Sequence, residues 1–361
     1  AGTPWKVDLS LGRERSRLNA LTSFEFRSNH LGEEIDPVRI LLAAPTTRPG
    51  DTVSVWSRRD KVGQWTEMPL GTAKGASQIR GLGFHRDRVT GVDLVFAGVS
   101  GNQSSAASLG MITGAYKKGH PGRILWNKNP ELVLPRGERF MEFAVCNGDL
   151  YASSSNHIFK RTDGPEPTWE PVHHDPKQIA PAGLRGLVTV PAPGDKEALL
   201  FISFGNVLYL DPQNENQVTP ELDIPAFLSE TWNLPINGSL AGYNKIVHDP
   251  QPGGPGRWLI GFQNSSDKTY IRNGGAGKHP IRIREDGRRP IRYFASEGNF
   301  LIRSLKDGKP RYEVKTFPVA GDGESGAVRT ICRSPFPGEE DLLYLGVGEC
   351  NGMPSHDTAR L

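Results

Sequence analysis

The sequence predicts an all-β fold, and three observations carry that expectation. A block of two short apolar strands joined by a turn recurs along the chain. Glycine and proline, 42 and 29 of 361 residues, are spread from end to end rather than gathered in one tract. No long stretch places its apolar residues at the helical period. Dispersed Gly and Pro are the punctuation of many short strands and turns, not of a disordered tail. At 36% apolar and 23% charged, the composition is that of a globular chain long enough to bury a core.

Four copies of the block are plain. Ile79-Arg80-Gly81-Leu82 leads through His85-Arg86-Asp87 to Leu94-Val95-Phe96-Ala97-Gly98. Leu184-Arg185-Gly186-Leu187 leads through Pro193-Gly194 to Leu199-Leu200-Phe201-Ile202. Tyr243-Asn244-Lys245-Ile246 leads through His248-Asp249-Pro250 to Trp258-Leu259-Ile260-Gly261. Val328-Arg329-Thr330-Ile331 leads through Pro337-Gly338 to Leu342-Leu343-Tyr344-Leu345. A fifth copy starts at Phe140-Met141-Glu142-Phe143 and turns at Asn147-Gly148, the strongest hairpin signal in the chain. The strands of each copy are almost continuously apolar, so both faces are expected to be buried.

More polar, alternating strands follow most copies, at 111–115, 154–161, 207–211 and 270–271. Residues 40–44 and 53–57 form a further hairpin around Gly50-Asp51, and the segment 293–319 adds two strands joined through Asp307-Gly308. Pro225-Ala226-Phe227-Leu228-Ser229 is the one short helix expected. The blocks resemble the blades of a β-propeller, at the level of the fold only. They carry no Trp-Asp dipeptide, kelch double glycine or Ser-x-Asp-x-Gly-x-x-Trp box, so no family residues carry over.

Inner hairpins are expected to begin near Phe24, Ile79, Phe140, Leu184, Tyr243 and Val328. That predicts six blades in a single domain spanning 1–361; five or seven also fit. The 85 residues from Tyr243 to Val328 hold either an extra blade or an insertion within one. Trp5-Lys6-Val7-Asp8-Leu9 is the strand expected to close the ring against the last blade.

A net charge of +3 and the absence of a Lys/Arg block argue against nucleic acid as a partner. No stretch reaches 18 apolar residues, which argues against a membrane helix. Cys146, Cys332 and Cys350 lack metal-ligand spacing, and their odd number leaves at least one thiol outside any disulfide. The chain starts at Ala1 with no signal peptide, as a processed secreted or periplasmic protein would, and that location is the expectation.

Candidate chemistry follows from the repeat. Arg80, Arg185 and Arg329 occupy one column of it, with Asn244 in a fourth copy and Met141 in the fifth. Equivalent copies would set these side chains at one height around the channel axis. Guanidinium groups so gathered suit forked pairing with a carboxylate or phosphate; the structural alternative is that each bridges neighbouring blades. Glu25 and Glu142 stand amid apolar strand residues, where a carboxylate pairs with arginine, binds a cation or moves protons. Either would suit a divalent cation such as calcium. His85 and His248 are each followed within two residues by an acid, Asp87 and Asp249, a pattern suited to a general base. About 17 Å of strand separates His85 from the arginine column. His356 near the C-terminus could cap the channel, and Tyr243 is a candidate proton donor.

The expectation is an extracytoplasmic lyase or hydrolase acting on a small carboxylated substrate, such as a uronate-containing glycan or a lactone. Arg80, Arg185, Arg329 and Asn244 would bind it; Glu142, Tyr243, His85 or His356 would move protons. The alternative is a lectin-like or protein-binding propeller without chemistry, using tryptophans such as Trp56, Trp65, Trp126 and Trp169.

Overall fold

The computed structural model describes residues 18–47, 51–59, 64–72, 77–101, 110–120, 123–135, 138–175, 184–203, 206–232, 242–249, 254, 256–263, 265–266, 281–282, 293–295, 297–318, 327–334, 337–338 and 343–348. The strands pair antiparallel into successive four-stranded units, the first two joined where Thr46 and Thr47 pair with Gln78 and Ser77. Blade 1 comprises Leu18–Ser28, Glu34–Thr47, Thr52–Arg58 and Thr66–Thr72; blade 2 comprises Ser77–Arg86, Asp93–Gly101, Gly110–Tyr116 and Ile124–Trp126. Blade 3 comprises Phe140–Cys146, Asp149–Ser154, His157–Thr162 and Thr168–His174; blade 4 comprises Arg185–Ala192, Lys196–Ser203, Asn206–Asp211 and Gln217–Asp223. Blade 5 comprises Gly242–Asp249, Arg257–Gln263, Glu297–Lys306 and Lys309–Pro318. Among the described residues a sixth position holds one hairpin, Ala327–Arg333 with Leu343–Gly348.

The first strand of each unit touches the first strand of the next. The hairpin strand Ala327–Arg333 touches both Gly242–Asp249 and Leu18–Ser28, so the ring closes. That is a β-propeller with six positions, five of them four-stranded sheets. The 85-residue gap is an insertion: residues 265–266, 281–282 and 293–295 form a small separate sheet between the second and third strands of blade 5. The first inner hairpin begins at Leu18, earlier than Phe24, because Leu18–Ser28 pairs along its length with Glu34–Thr47. The stretch 154–161 is broken by a turn after Ser154 rather than running as one strand. Residues 5–9 and 270–271 lie outside the described residues.

The core lies between blades. Phe26, Ile40, Ile79, Val95 and Tyr116 join blade 1 to blade 2; Phe96, Met111, Phe140 and Phe159 join blade 2 to blade 3. Leu199, Phe201 and Tyr151 join blades 3 and 4, and Leu200, Ile246, Trp258 and Leu301 join blades 4 and 5. An inner strand sandwiched this way has both faces covered, the reason its sequence reads as unbroken apolar residues.

Local chemistry sets the turns. Asn147 and Gly148 take φ of 51° and 80°, and Asp307 and Gly308 take 52° and 71°, as a tight hairpin turn requires. Asp223 caps the one helix among the described residues, Ile224–Trp232, by accepting the Ala226 N–H at 3.0 Å. The outer strands of blades 1, 3 and 4 each carry a proline, at Pro69, Pro171 and Pro220, beside a one-residue register shift. A proline and a bulge on an outer edge blunt it against pairing with another chain.

Candidate functional site

All six inner strands carry a one-residue register shift against their partner strand. The extra residue falls between Leu18 and Ala20, Ile79 and Leu82, Phe140 and Phe143, Arg185 and Val188, Tyr243 and Lys245, and Val328 and Thr330. The arginine column sits on these shifts. Arg80, Asn244 and Arg329 fall within them, and Arg185 stands immediately before its own. In blade 3 the shift spans Met141 and Glu142. A bulge re-aims the side chains it carries. Gly186, inside the blade 4 shift, has φ of 67°, and a Cβ there would lie 2.6 Å from Ile246 Cγ1 of blade 5. Only glycine serves at that position.

Arg80 is half-buried, with Nε donating to Gln78 Oε1 at 3.2 Å. Arg185 is 9% exposed. For Tyr243, Asn244 and Arg329 the described structure extends to the strand backbone. His356 and Cys350 lie outside the described residues.

A cavity of about 420 Å3 lies among the inner strands of blades 1 to 5, lined by residues 21–24, 82–84, 142–145, 187–189 and 246–248. Its walls mix polar and apolar groups, with Phe24, Phe84, Phe143 and Val188 beside Thr22, Ser23 and Thr189. Glu142 is the one carboxylate of that lining and is 6% exposed; its main-chain N–H donates to Ser153 Oγ at 3.1 Å. His248 also lines it, solvent-exposed, with its ring 5.1 Å from that of Trp258. The structure thus brings Glu142 and His248 to one cavity and leaves Arg80, Arg185, Glu25 and His85 outside its lining.

Glu25 is an ion-pair residue. Arg27 and Arg39 hold its two carboxylate oxygens at 2.6 and 2.7 Å, and their hydrogen bonds, Arg39 foremost, lower its pKa. Among the described residues no group of three His, Cys, Asp or Glu side chains could hold a metal ion. His85, 3% exposed, pairs through Nε2 with Asp163 Oδ1 of blade 3 at 2.7 Å, not with Asp87. Asp87 instead takes Arg161 Nη1 at 2.9 Å and the N–H groups of Gly164 and Thr90. Burial pushes the Asp87 pKa up, but these donors outweigh it and hold the carboxyl below the usual range. Arg161 also reaches Glu131 and Asp163 at 2.8 and 2.9 Å, and Arg88 bridges Asp163 and Asp149. This network locks blade 2 to blade 3. Likewise Asp249 accepts Arg257 Nε at 2.6 Å.

Sequence reasoning missed Arg139, Arg161 and Asp163. Arg139 lies one residue before the blade 3 strand and so escapes the column by a small offset. The other two pair with each other locally, but their contacts to blade 2, Arg161 with Asp87 and Asp163 with His85 and Arg88, span more than 70 residues and leave no local trace. Of the tryptophans, Trp169 is tied into the network, donating to Glu131 Oε1 at 2.9 Å, and Trp126 packs against the blade 1–2 core. Cys146 is buried and unbridged, its pKa pushed up to about 12 by burial. No helix among the described residues is long and apolar enough to cross a membrane.

No protein-family model matches the chain, and no curated protein matches it. Among solved structures, the chain is similar to a catalytically inactive variant of virginiamycin B lyase from Staphylococcus aureus with quinupristin. The identity is 12%, 94% of each chain is covered, and the TM-score is 0.41. The β-propeller assignment rests on the pairing and closure of this chain's own strands.

Proposed function

We propose that this protein is an extracytoplasmic propeller enzyme, a lyase or hydrolase, that takes a small carboxylated substrate at one mouth of its axial channel. The observation that carries the reading is a coincidence of height around the ring. Arg80, Arg185 and Arg329 stand on or beside the backbone shift of their inner strands. Glu142, buried and lining the cavity, stands on the same shift in blade 3, between the blades of Arg80 and Arg185. Forked guanidinium groups neutralise a carboxylate, and a buried carboxylate beside the reacting carbon moves a proton.

In an elimination from a uronate, the arginines hold the carboxylate and so acidify the adjacent C–H. Glu142 takes that proton, the C–H electron pair becomes the new C=C bond, and the C–O bond to the neighbouring sugar breaks. The departing oxygen takes a proton from Tyr243 or water. In hydrolysis of a lactone, Glu142 would instead take a proton from the attacking water while an arginine stabilises the oxyanion.

Two variants test this. Arg185→Lys keeps the charge and loses the fork, so galacturonate binding should weaken by about 1.5–3 kcal/mol with the melting temperature of the free protein little changed. A variant that binds as well as wild type, or that simply unfolds, assigns Arg185 a structural role. Glu142→Gln should retain binding and lose turnover of oligogalacturonate or lactone; unchanged turnover removes Glu142 from the chemistry.

A further inference from the structure

Among the described residues, two buried arginines of this propeller are matched by acidic partners, and Arg139 is not. Arg161 is held by Asp87, Asp163 and Glu131, and Arg303 makes a fork with Glu221 at 2.7 and 2.9 Å. Arg139 is 6% exposed, and among the described residues no carboxylate pairs with it. Its Nη2 is sealed from solvent without a hydrogen-bond partner. The adjacent acid, Glu138, is engaged elsewhere: it holds His157 Nδ1 at 2.9 Å and accepts the Ser154 hydroxyl. Burial lowers the Arg139 pKa with no opposite charge to offset it. A guanidinium left this way inside a protein is costly unless a counter-charge arrives from solution.

Its position says where that charge would sit. The Arg139 N–H donates to Ser155 Oγ at 3.1 Å, and the Ser155 carbonyl accepts the N–H of Leu184, the residue before Arg185, at 3.0 Å. The next N–H, of Phe140, donates to Ser100 Oγ at 2.8 Å. Ser100 is the cross-strand partner of Gln78, whose side chain holds Arg80. Two buried serines therefore tie the backbone at Arg139 to the arginine-bearing ends of blades 2 and 4. Glu142 lies three residues further along the chain, on the strand that Arg139 precedes, about 10 Å away at the rise of a β-strand.

We infer that Arg139 anchors an oxyanion-binding site at the arginine end of the channel, flanked by Arg80 and Arg185, and that its ligand is a carboxylate or other oxyanion taken from solution. The site deepens the proposed function by naming its principal anchor, and it needs no turnover to exist.

The test compares wild type with Arg139→Met by thermal unfolding, in sodium chloride, sodium sulfate and sodium galacturonate at matched ionic strength. Sulfate stabilises proteins in general, and the difference between the two proteins cancels that effect. The site predicts that Arg139→Met melts several degrees above wild type in chloride, because an uncompensated buried charge is gone. It also predicts that most of the extra stabilisation by galacturonate or sulfate disappears, with Arg139→Lys intermediate. Equal increments in wild type and Arg139→Met overturn the site whatever the melting temperature of the free proteins. Loss of the increment in a variant that melts below wild type still supports it. Galacturonate that stabilises wild type through Arg139 but is never consumed would sink the enzyme and leave the site standing. A sulfate increment lost with Arg139 and no galacturonate increment would assign the site to small inorganic oxyanions.

Discussion

Arg161 is where one residue matters most to the fold. Its side chain is 1% exposed and serves three carboxylates from two blades. Arg161→Met should lower the unfolding free energy by about 3–5 kcal/mol, measured by urea titration, because it leaves buried carboxylates without a counter-charge. The same network sets an acid limb of stability. Burial raises the pKa of Asp87 and of Asp163. Hydrogen bonds from Gly164, Thr90 and Arg161 to Asp87, and from Arg88 and His85 to Asp163, outweigh it, so both are lowered on balance. A lowered folded-state pKa contributes stability that is complete above the unfolded value of about 3.9 and is lost as pH falls through the folded values. Stability should therefore drop steeply below about pH 4, and Asp87→Asn should be less stable at neutral pH with a flatter acid limb. An acid limb unchanged in Asp87→Asn would remove Asp87 from that account.

At the scale of the element, strands of neighbouring blades approach each other closely enough to exclude a side chain. A Cβ at Gly83 would lie 2.5 Å from Phe143 Cγ, and one at Gly98 would lie 2.4 Å from Phe140 Cβ. Gly83→Ala should cost about 1–3 kcal/mol through overpacking between blades 2 and 3, and Phe143→Ala in the same chain should recover part of it. Strictly additive losses in a double-mutant cycle would show that the two positions do not meet. The hairpins themselves were legible, because their signals are local. Asn147-Gly148 and Asp307-Gly308 turn as their sequences predict, and the apolar runs mark strands buried on both faces. The outer-strand prolines, Pro69, Pro171 and Pro220, recur in the sequence too, but their meaning depends on which edge faces outward. Long-range pairs such as His85 with Asp163, and Arg161 with Asp87, leave no local pattern. Hence the adjacent Asp87 drew His85 into an expected pair that the fold does not make.

For the whole molecule, closure of the ring is what turns a sequence column into a place. Six inner strands in cyclic contact put equivalent residues around one axis, and each carries its register shift at that level. The column was legible as a repeat of arginines; that it coincides with backbone shifts required the strand pairing. The proposed function requires that this end of the channel take an organic anion. The most direct measurement is a thermal-shift panel on the intact protein, setting uronates and other organic acids against their methyl esters and neutral sugars. A ligand at 100 times its dissociation constant stabilises by about 2.7 kcal/mol, readily seen in such a scan. The account predicts stabilisation by carboxylates and none by the matched esters; stabilisation by neutral sugars alone, or by nothing in the panel, would contradict it.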